Sequence, residues 1–279
     1  MLAYRHQFHA GNFADVVKHA LLTRLILGMQ RKDTGFLYLD THAGIGRYDL
    51  RHPWSEKLAE HRWGIERLVA AGAGTALLQP YLDAVRAENR TKTLRFYPGS
   101  PRIAKRLLRS TDRMVLVELN REDHAQLVSV FAGARRVSVV QGDGFDALKA
   151  HLPPQERRGL ILIDSAFDRA REFQRLLQAL KAGVKRFAGG VFALWFPLLD
   201  DAVTQRFERD LSGAGLTKLL WTEVRVGPTG GPNLGGCGVV VVNPPYRFDA
   251  ETAEILAVLQ PLLAQSTAAG WAVRWLAGP

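Results

Sequence analysis

Apolar residues recur every three to four positions from Phe13 onward: Phe13, Val16, Val17, Ala20, Leu21 and Leu25. That period sets them on one face of a helix running to about Gln30. Asn12 stands where a capping side chain would begin it. The pattern then changes. "GFLYLDTHAGIG" (35–46) reads as a short apolar strand that ends at Asp40 and enters a glycine-bearing turn. Residues 51–96 are Ala-rich, with helical patterning and no convincing strand, and predict a helical insertion. Beyond them, short apolar runs alternate with helical stretches. Strands are expected at 113–120, ending with Glu118, at 135–144, ending with Asp143, at 158–164, ending with Asp164, and at 189–197. The runs 217–226 and 236–245 close the series as an expected antiparallel pair. Alternation of this kind predicts an α/β fold, a mostly parallel sheet covered by helices on both faces. It also predicts a single domain over 1–279, with 51–96 inserted in it.

Acids at strand ends bring in chemistry. In an open α/β sheet, ligands sit beyond the carboxyl ends of the strands, near the switch in strand order. Asp40, Glu118, Asp143 and Asp164 all fall there. A carboxylate accepts hydrogen bonds from ribose hydroxyls and from an adenine amino group. S-adenosylmethionine offers both, with a sulfonium cation. In the turn "DTHAGIG" (40–46), Gly44 and Gly46 suit backbone lying close to a ligand. The full dinucleotide pattern G-x-G-x-x-G is absent. The ordered set of glycine turn, Glu, Asp and acid-x-x-aromatic favours a nucleotide-type ligand over scattered caps and surface acids.

Charge then suggests the partner. The chain of 279 residues has a net charge of +10 and a pI near 10.0, which favours a polyanion such as nucleic acid. Arg102, Lys105, Arg106 and Arg109 fall at helical spacing as one basic stripe. Arg135 with Arg136, Arg157 with Arg158, and Lys181 with Lys185 and Arg186 cluster at element ends. One cysteine, Cys237, rules out an internal disulfide and fits a reducing cytoplasm. No run approaches the ~18 apolar residues of a membrane span, and the N-terminus has no signal-peptide apolar block. His6, His9, His19 and His42 lack the spacing and companions of a metal site, so no metal is expected. No dimerisation stripe stands out, and a monomer is expected.

With these residues in place, the sequence resembles the RlmJ family, bacterial 23S ribosomal RNA adenine-N6 methyltransferases. The likeness runs nearly end to end through "YRHQFHAGNFADVVKH" (4–19), "FLYLDTHAGIGRY" (36–48), "YPGSP" (97–101), "GDGF" (142–145), "RRGLILID" (157–164) and "NPPY" (243–246). The resemblance implies a Rossmann-like class I methyltransferase fold. It implies S-adenosylmethionine bound through His19, His42, Ser100, Glu118, Asp143, Gly144 and Asp164. On physical grounds Glu118 suits the ribose hydroxyls and Asp143 the adenine amine. The resemblance further implies Tyr4 as a substrate contact and Asp164 and Phe167 as catalytic residues. The substrate would be 23S ribosomal RNA, in a protein-poor precursor where the base can be reached and flipped out. Lys18, beside His19, could also face the site.

The stretch "DSAF" (164–167) departs from the Asp-Pro-Pro-Tyr/Phe pattern of amino methyltransferases. An adenine amine is a poor nucleophile, because its lone pair is delocalised into the ring. The acid and the next carbonyl accept its hydrogens, the aromatic stacks on the flipped base, and prolines fix the loop. Ser165 and Ala166 keep the carbonyl and lose the clamp. The expectation is retained cofactor binding with lowered catalysis. Two other readings stay open: a decayed methyltransferase that binds nucleic acid without chemistry, and a DNA-directed role in the use of external DNA. "NPPY" (243–246) matches the motif letter for letter but follows the last expected strand, so a structural turn is expected there.

Overall fold

The computed structural model describes residues 5–72, 74–91, 93–167, 172–231 and 233–278. Its elements begin with α1 (Phe13–Met29), β1 (Leu37–Asp40) and β2 (Arg47–Asp49). Three short helices follow, α2 (Pro53–Leu58), α3 (Ile65–Ala71) and α4 (Gln79–Ala87), and then β3 (Phe96–Pro98). Alternation continues with α5 (Ser100–Leu107), β4 (Arg113–Glu118), α6 (Arg121–Val130), β5 (Val137–Gln141), α7 (Gly144–His151) and β6 (Gly159–Ile163). The chain closes with α8 (Glu172–Arg186), β7 (Val191–Pro197), α9 (Asp201–Ser212), β8 (Leu219–Arg225), β9 (Gly236–Val242), α10 (Phe248–Leu263) and β10 (Gly270–Ala277).

Eight strands form one sheet in the order β10-β8-β9-β7-β6-β1-β4-β5. β5, β4, β1, β6 and β7 run parallel, whereas β9, β8 and β10 are antiparallel additions. The expected antiparallel pairing of 217–226 with 236–245 is present as β8 and β9. Strands buried on both faces read as unbroken apolar runs, and β6, Gly-Leu-Ile-Leu-Ile, is buried throughout. One core fills each face of the sheet. β1 has β4 on one side and β6 on the other, so the strand order reverses there and a crevice opens at the carboxyl ends.

Helix α1 starts where its cap predicts: the Asn12 side chain accepts the Asp15 N–H at 2.9 Å. Its flanks are buried almost all round, between the sheet, α5 and α10. Asp15, Lys18 and His19 are thereby carried into the interior.

Several expectations change. The basic stripe is broken, because α5 ends at Leu107 and Arg109 folds back on Asp112 at 3.0 Å. Arg102 is paired with Glu88. β5 stops at Gln141, and Asp143 caps α7 instead of ending the strand. Phe96 opens β3, which pairs with β2. β10 has no counterpart in the sequence pattern: its half-buried residues lack the unbroken apolar run of the central strands.

Candidate functional site

At the carboxyl ends of β1, β4, β6 and β7 lies a cavity of about 770 Å³. Helix α1 supplies its floor. Asp15 and Lys18, three residues apart, share a helix face. Lys18 Nζ lies 2.8 Å from Asp15 Oδ1 and 2.6 Å from Asp164 Oδ2. The other Asp15 oxygen accepts from the Gly11 N–H at 2.9 Å and meets His6 Nε2 at 2.9 Å. Burial alone would push Asp15 up, but His6 and Lys18 overcome it and hold the carboxyl well below its usual range. Burial likewise opposes the charge on Lys18, and Asp15 with Asp164 raises it well above the ordinary lysine value. A buried charge stripped of its partner costs about 3–5 kcal/mol, so the Asp15–Lys18–Asp164 chain fixes where the Asp164 carboxylate points.

His19 is buried one residue on, with Nδ1 2.6 Å from the Tyr97 hydroxyl. Burial, and then Lys18, push its pKa far down, so the ring is neutral. His42 meets the Thr41 hydroxyl at 2.8 Å and sets its edge against Phe145. Burial pushes it down to about 4.

The glycine turn meets Glu118 across the switch point. The Gly44 N–H donates to one Glu118 oxygen and the Asn120 N–H to the other, each at 2.8 Å. Each oxygen keeps a lone pair for a ligand. Burial pushes the Glu118 carboxyl up. Gly44 has φ +61°, and a Cβ there would stand 2.4 Å from the Tyr48 hydroxyl.

Asp40 sits beneath the turn. It is fully buried and accepts the hydroxyls of Ser100 at 2.7 Å and Tyr38 at 2.9 Å. Burial pushes its pKa up to about 6. A folded-state pKa above the unfolded one gives stability that is complete below pH ~4 and lost as pH rises through about 6. Asp40 should therefore cost about 3 kcal/mol at pH 7 relative to pH 4. Urea unfolding of the parent and Asp40→Asn across that range checks this: the variant should gain on the parent as pH rises, and a constant difference would refute it.

His19, His42, Ser100, Glu118, Asp164 and Phe167 line this one cavity; Asp143 and Gly144 do not. Asp143 accepts the Phe145 N–H at 2.8 Å and pairs with Arg175 at 2.6 Å, and the Arg175 guanidinium lies over Phe145. A Cβ on Gly144 would stand 2.1 Å from the Thr41 carbonyl oxygen, so only glycine fits beside that turn. Tyr4 lies outside the described residues.

Asp164 leaves β6 directly into the cavity. Ser165 is buried, and its hydroxyl has no hydrogen-bond partner among the described residues. Phe167 packs on Phe173 and Trp195, with ring centres 5.0 and 5.7 Å apart. Asn243, the rival motif's first residue, donates to the carbonyls of Ala188 and Gly190, both at 2.8 Å. It sits at the opposite edge of the sheet, as a structural turn. Sequence reasoning missed Asp15 and Trp195, and also Asn120 and Asp123 at the mouth. For Asp15 the sequence offers only its i,i+3 spacing to Lys18, which marks a helical ion pair and no site.

The family described as Ribosomal RNA large subunit methyltransferase D, RlmJ, matches residues 33–277. Ribosomal RNA large subunit methyltransferase J of Escherichia coli (strain K12) is 40% identical over 277 residues, covering 99% of each chain. Its namesake in Haemophilus influenzae (strain ATCC 51907 / DSM 11121 / KW20 / Rd) is 39% identical over 278 residues, again covering 99% of each. A crystal structure of a Legionella pneumophila (strain Philadelphia 1) protein superposes with a TM-score of 0.89 at 34% identity, covering 95% of this chain and 98% of that one.

Proposed function

This chain belongs to the RlmJ family of ribosomal RNA large subunit methyltransferases, and we propose that it methylates adenine N6 in 23S ribosomal RNA, using S-adenosylmethionine, in the cytoplasm. The observation that carries the chemistry is the Asp164 carboxylate, fixed at the cavity by Lys18 at 2.6 Å. Lys18 holds one oxygen and leaves the other to accept a hydrogen of the target amine. The Ser165 carbonyl is the second acceptor. Together they draw the nitrogen toward tetrahedral geometry and free its lone pair for in-line attack. Phe167, backed by Trp195, supplies the stacking face for the flipped base. Tyr4 is assigned to the RNA.

The residues fit the cofactor. Glu118 has a free lone pair on each oxygen for the ribose hydroxyls. Asp15 and Asp164 share the single Lys18 cation and so keep a net negative charge at the cavity that suits a cation, and neutral His19 and His42 do not oppose it. Ser100, tied to Asp40, lines the wall, and Gly144 packs against Thr41 and His42 outside it. Asp143 takes the adenine amine beside Arg175. When bound, the cofactor supplies the electrophilic methyl group. We assign residues 1–279 to one methyltransferase domain, with 51–96 as its insertion, acting as a monomer on protein-poor precursor RNA.

Calorimetric titration of S-adenosylmethionine, followed by methyl transfer to unmodified 23S RNA, tests the reading. Binding and transfer to adenine N6 are expected. Binding with no transfer would make the chain a nucleic-acid-binding relative without chemistry, transfer to DNA alone would move the substrate, and no cofactor binding would sink the reading.

A further inference from the structure

The paired cations at strand entrances take no part in the site, yet the topology collects them. β1, β4, β5, β6 and β7 are parallel, so their amino ends share the edge opposite the cavity. Arg31 and Lys32 precede β1, Arg135 and Arg136 precede β5, and Lys185 with Arg186 ends the helix before β7. The Leu37 N–H bonds the Arg158 carbonyl at 3.0 Å, and the Met114 N–H bonds the Arg136 carbonyl at 2.9 Å, which locks these loops side by side. With strands ~4.8 Å apart, the five entrances spread their charge over roughly 19 Å.

Little opposes that charge. Arg31 is paired with Glu251 of α10 at 2.5 Å, Asp112 is buried and held by Arg109, and Glu156 is paired with Arg113, so among the described residues the open charge of this edge rests on Lys32, Arg135, Lys185 and Arg186, with Asp33 as the remaining carboxylate of these loops. Arg136 and Arg158 donate to backbone carbonyls (Asp112 at 3.1 Å, Met29 at 2.6 Å), which orients them without cancelling charge. Burial, and then repulsion from Arg109, lower the pKa of Arg158, consistent with a positive local field.

The unused Asn243-Pro244-Pro245-Tyr246 turn ends on the same edge. β9 runs antiparallel to β7, with Val242 opposite Phe192. The two Asn243 bonds to Ala188 and Gly190 clamp the turn, and Pro245 sits against Gly28. Tyr246 is left 81% exposed, beside Arg247, with its carbonyl held by Arg31. A clamped, exposed aromatic among cations is a platform on which an unpaired base can stack.

We infer that this edge is a second RNA-docking face, gripping ribosomal RNA phosphates away from the methylated base, with Tyr246 stacking on an unpaired nucleotide. The identity of the polymer rests on the proposed ribosomal RNA function. A large folded RNA can engage both edges of the sheet, whereas a minimal fragment reaches only the cavity.

The test compares the parent with Lys32→Gln/Arg135→Gln/Lys185→Gln/Arg186→Gln, and separately with Tyr246→Ala. The probes are a protein-free 23S transcript and the smallest fragment still methylated. The quadruple variant should bind the transcript about 10- to 100-fold more weakly at 0.15 M salt, with a slope of log affinity against log salt shallower by about 3. Its kcat on the small fragment should be unchanged. Tyr246→Ala should cost roughly tenfold in transcript affinity. An unchanged circular-dichroism melt excludes misfolding. Unchanged transcript affinity and slope would overturn the inference, as would an equal loss on duplex DNA or on phosphatidylglycerol vesicles, which would mark a general anion surface. Edge-dependent transcript binding without methylation would refute the proposed function and leave the edge standing. Methylation with an indifferent edge would do the reverse.

Discussion

Asp164→Asn is expected to lower kcat for methyl transfer by roughly 10³-fold while cofactor is still bound, since removal of one preorganised polar group from a reaction centre costs about 10²–10³-fold. The substitution keeps shape and removes charge. The amide side chain has one oxygen and one NH₂ to share between Lys18 Nζ, now 2.6 Å from Asp164 Oδ2, and the target amine. Both are donors. The oxygen turns to Lys18, because a buried ammonium facing an NH₂ is the costlier error. The amine then faces another donor and loses its acceptor. Asp15 still holds Lys18 at 2.8 Å, so the fold survives. Single-turnover transfer with saturating cofactor and RNA reads the chemical step directly. A loss of less than about tenfold would remove Asp164 from the reaction centre.

Much of this arrangement is legible in the sequence because each signal has a strong local cause. Strands covered by helices on both faces read as unbroken apolar runs, and β4, β6 and β7 stand out accordingly. Asn12 announces α1 through the bond its side chain makes. The strand-end acids are visible because parallel strands deliver their last residues to one crevice. Other features have no local cause to read. β2 and β3 are three residues each and exist through mutual pairing. β10 is half-buried along its length. Asp15 looks like the first-turn acid of any helix, and only the long-range approach of Asp164 to Lys18 gives it a role. Asp143 reads as a strand end, but its helix-capping bond and its ion pair with Arg175 depend on how α7 and α8 pack.

The two edges of the sheet divide the charge. Acids gather where the parallel strands end, and cations gather where they begin. A cation-lined cavity would repel a sulfonium, and an acid-lined exterior would repel RNA. Separating the two by the length of the strands, roughly 13–23 Å for four to seven residues, lets one small protein hold both. A net charge of +10 says nothing of this division.

Ser165→Pro/Ala166→Pro is expected to raise kcat by up to about 10²-fold, because a misplacement of about 1 Å at a reaction centre costs that much. The prolines fix two φ angles in the loop that aims Asp164, the Ser165 carbonyl and Phe167. They cost little here. Among the described residues, no backbone hydrogen bond from residue 165 or 166 is present to be lost. Among the described residues the buried Ser165 hydroxyl has no partner, a defect worth about 1–3 kcal/mol that the substitution removes. Each proline also narrows the unfolded ensemble by about 0.4–1 kcal/mol. Stability and rate should therefore rise together, with the calorimetric affinity for S-adenosylmethionine unchanged, because Glu118 and the glycine turn do not move. Urea unfolding and single-turnover transfer on the same preparations separate the possibilities. A more stable protein with an unchanged rate would show that Asp164, one carbonyl and Phe167 are already aimed by Lys18 and Trp195. A less stable protein would show that the loop runs through dihedrals that proline cannot adopt.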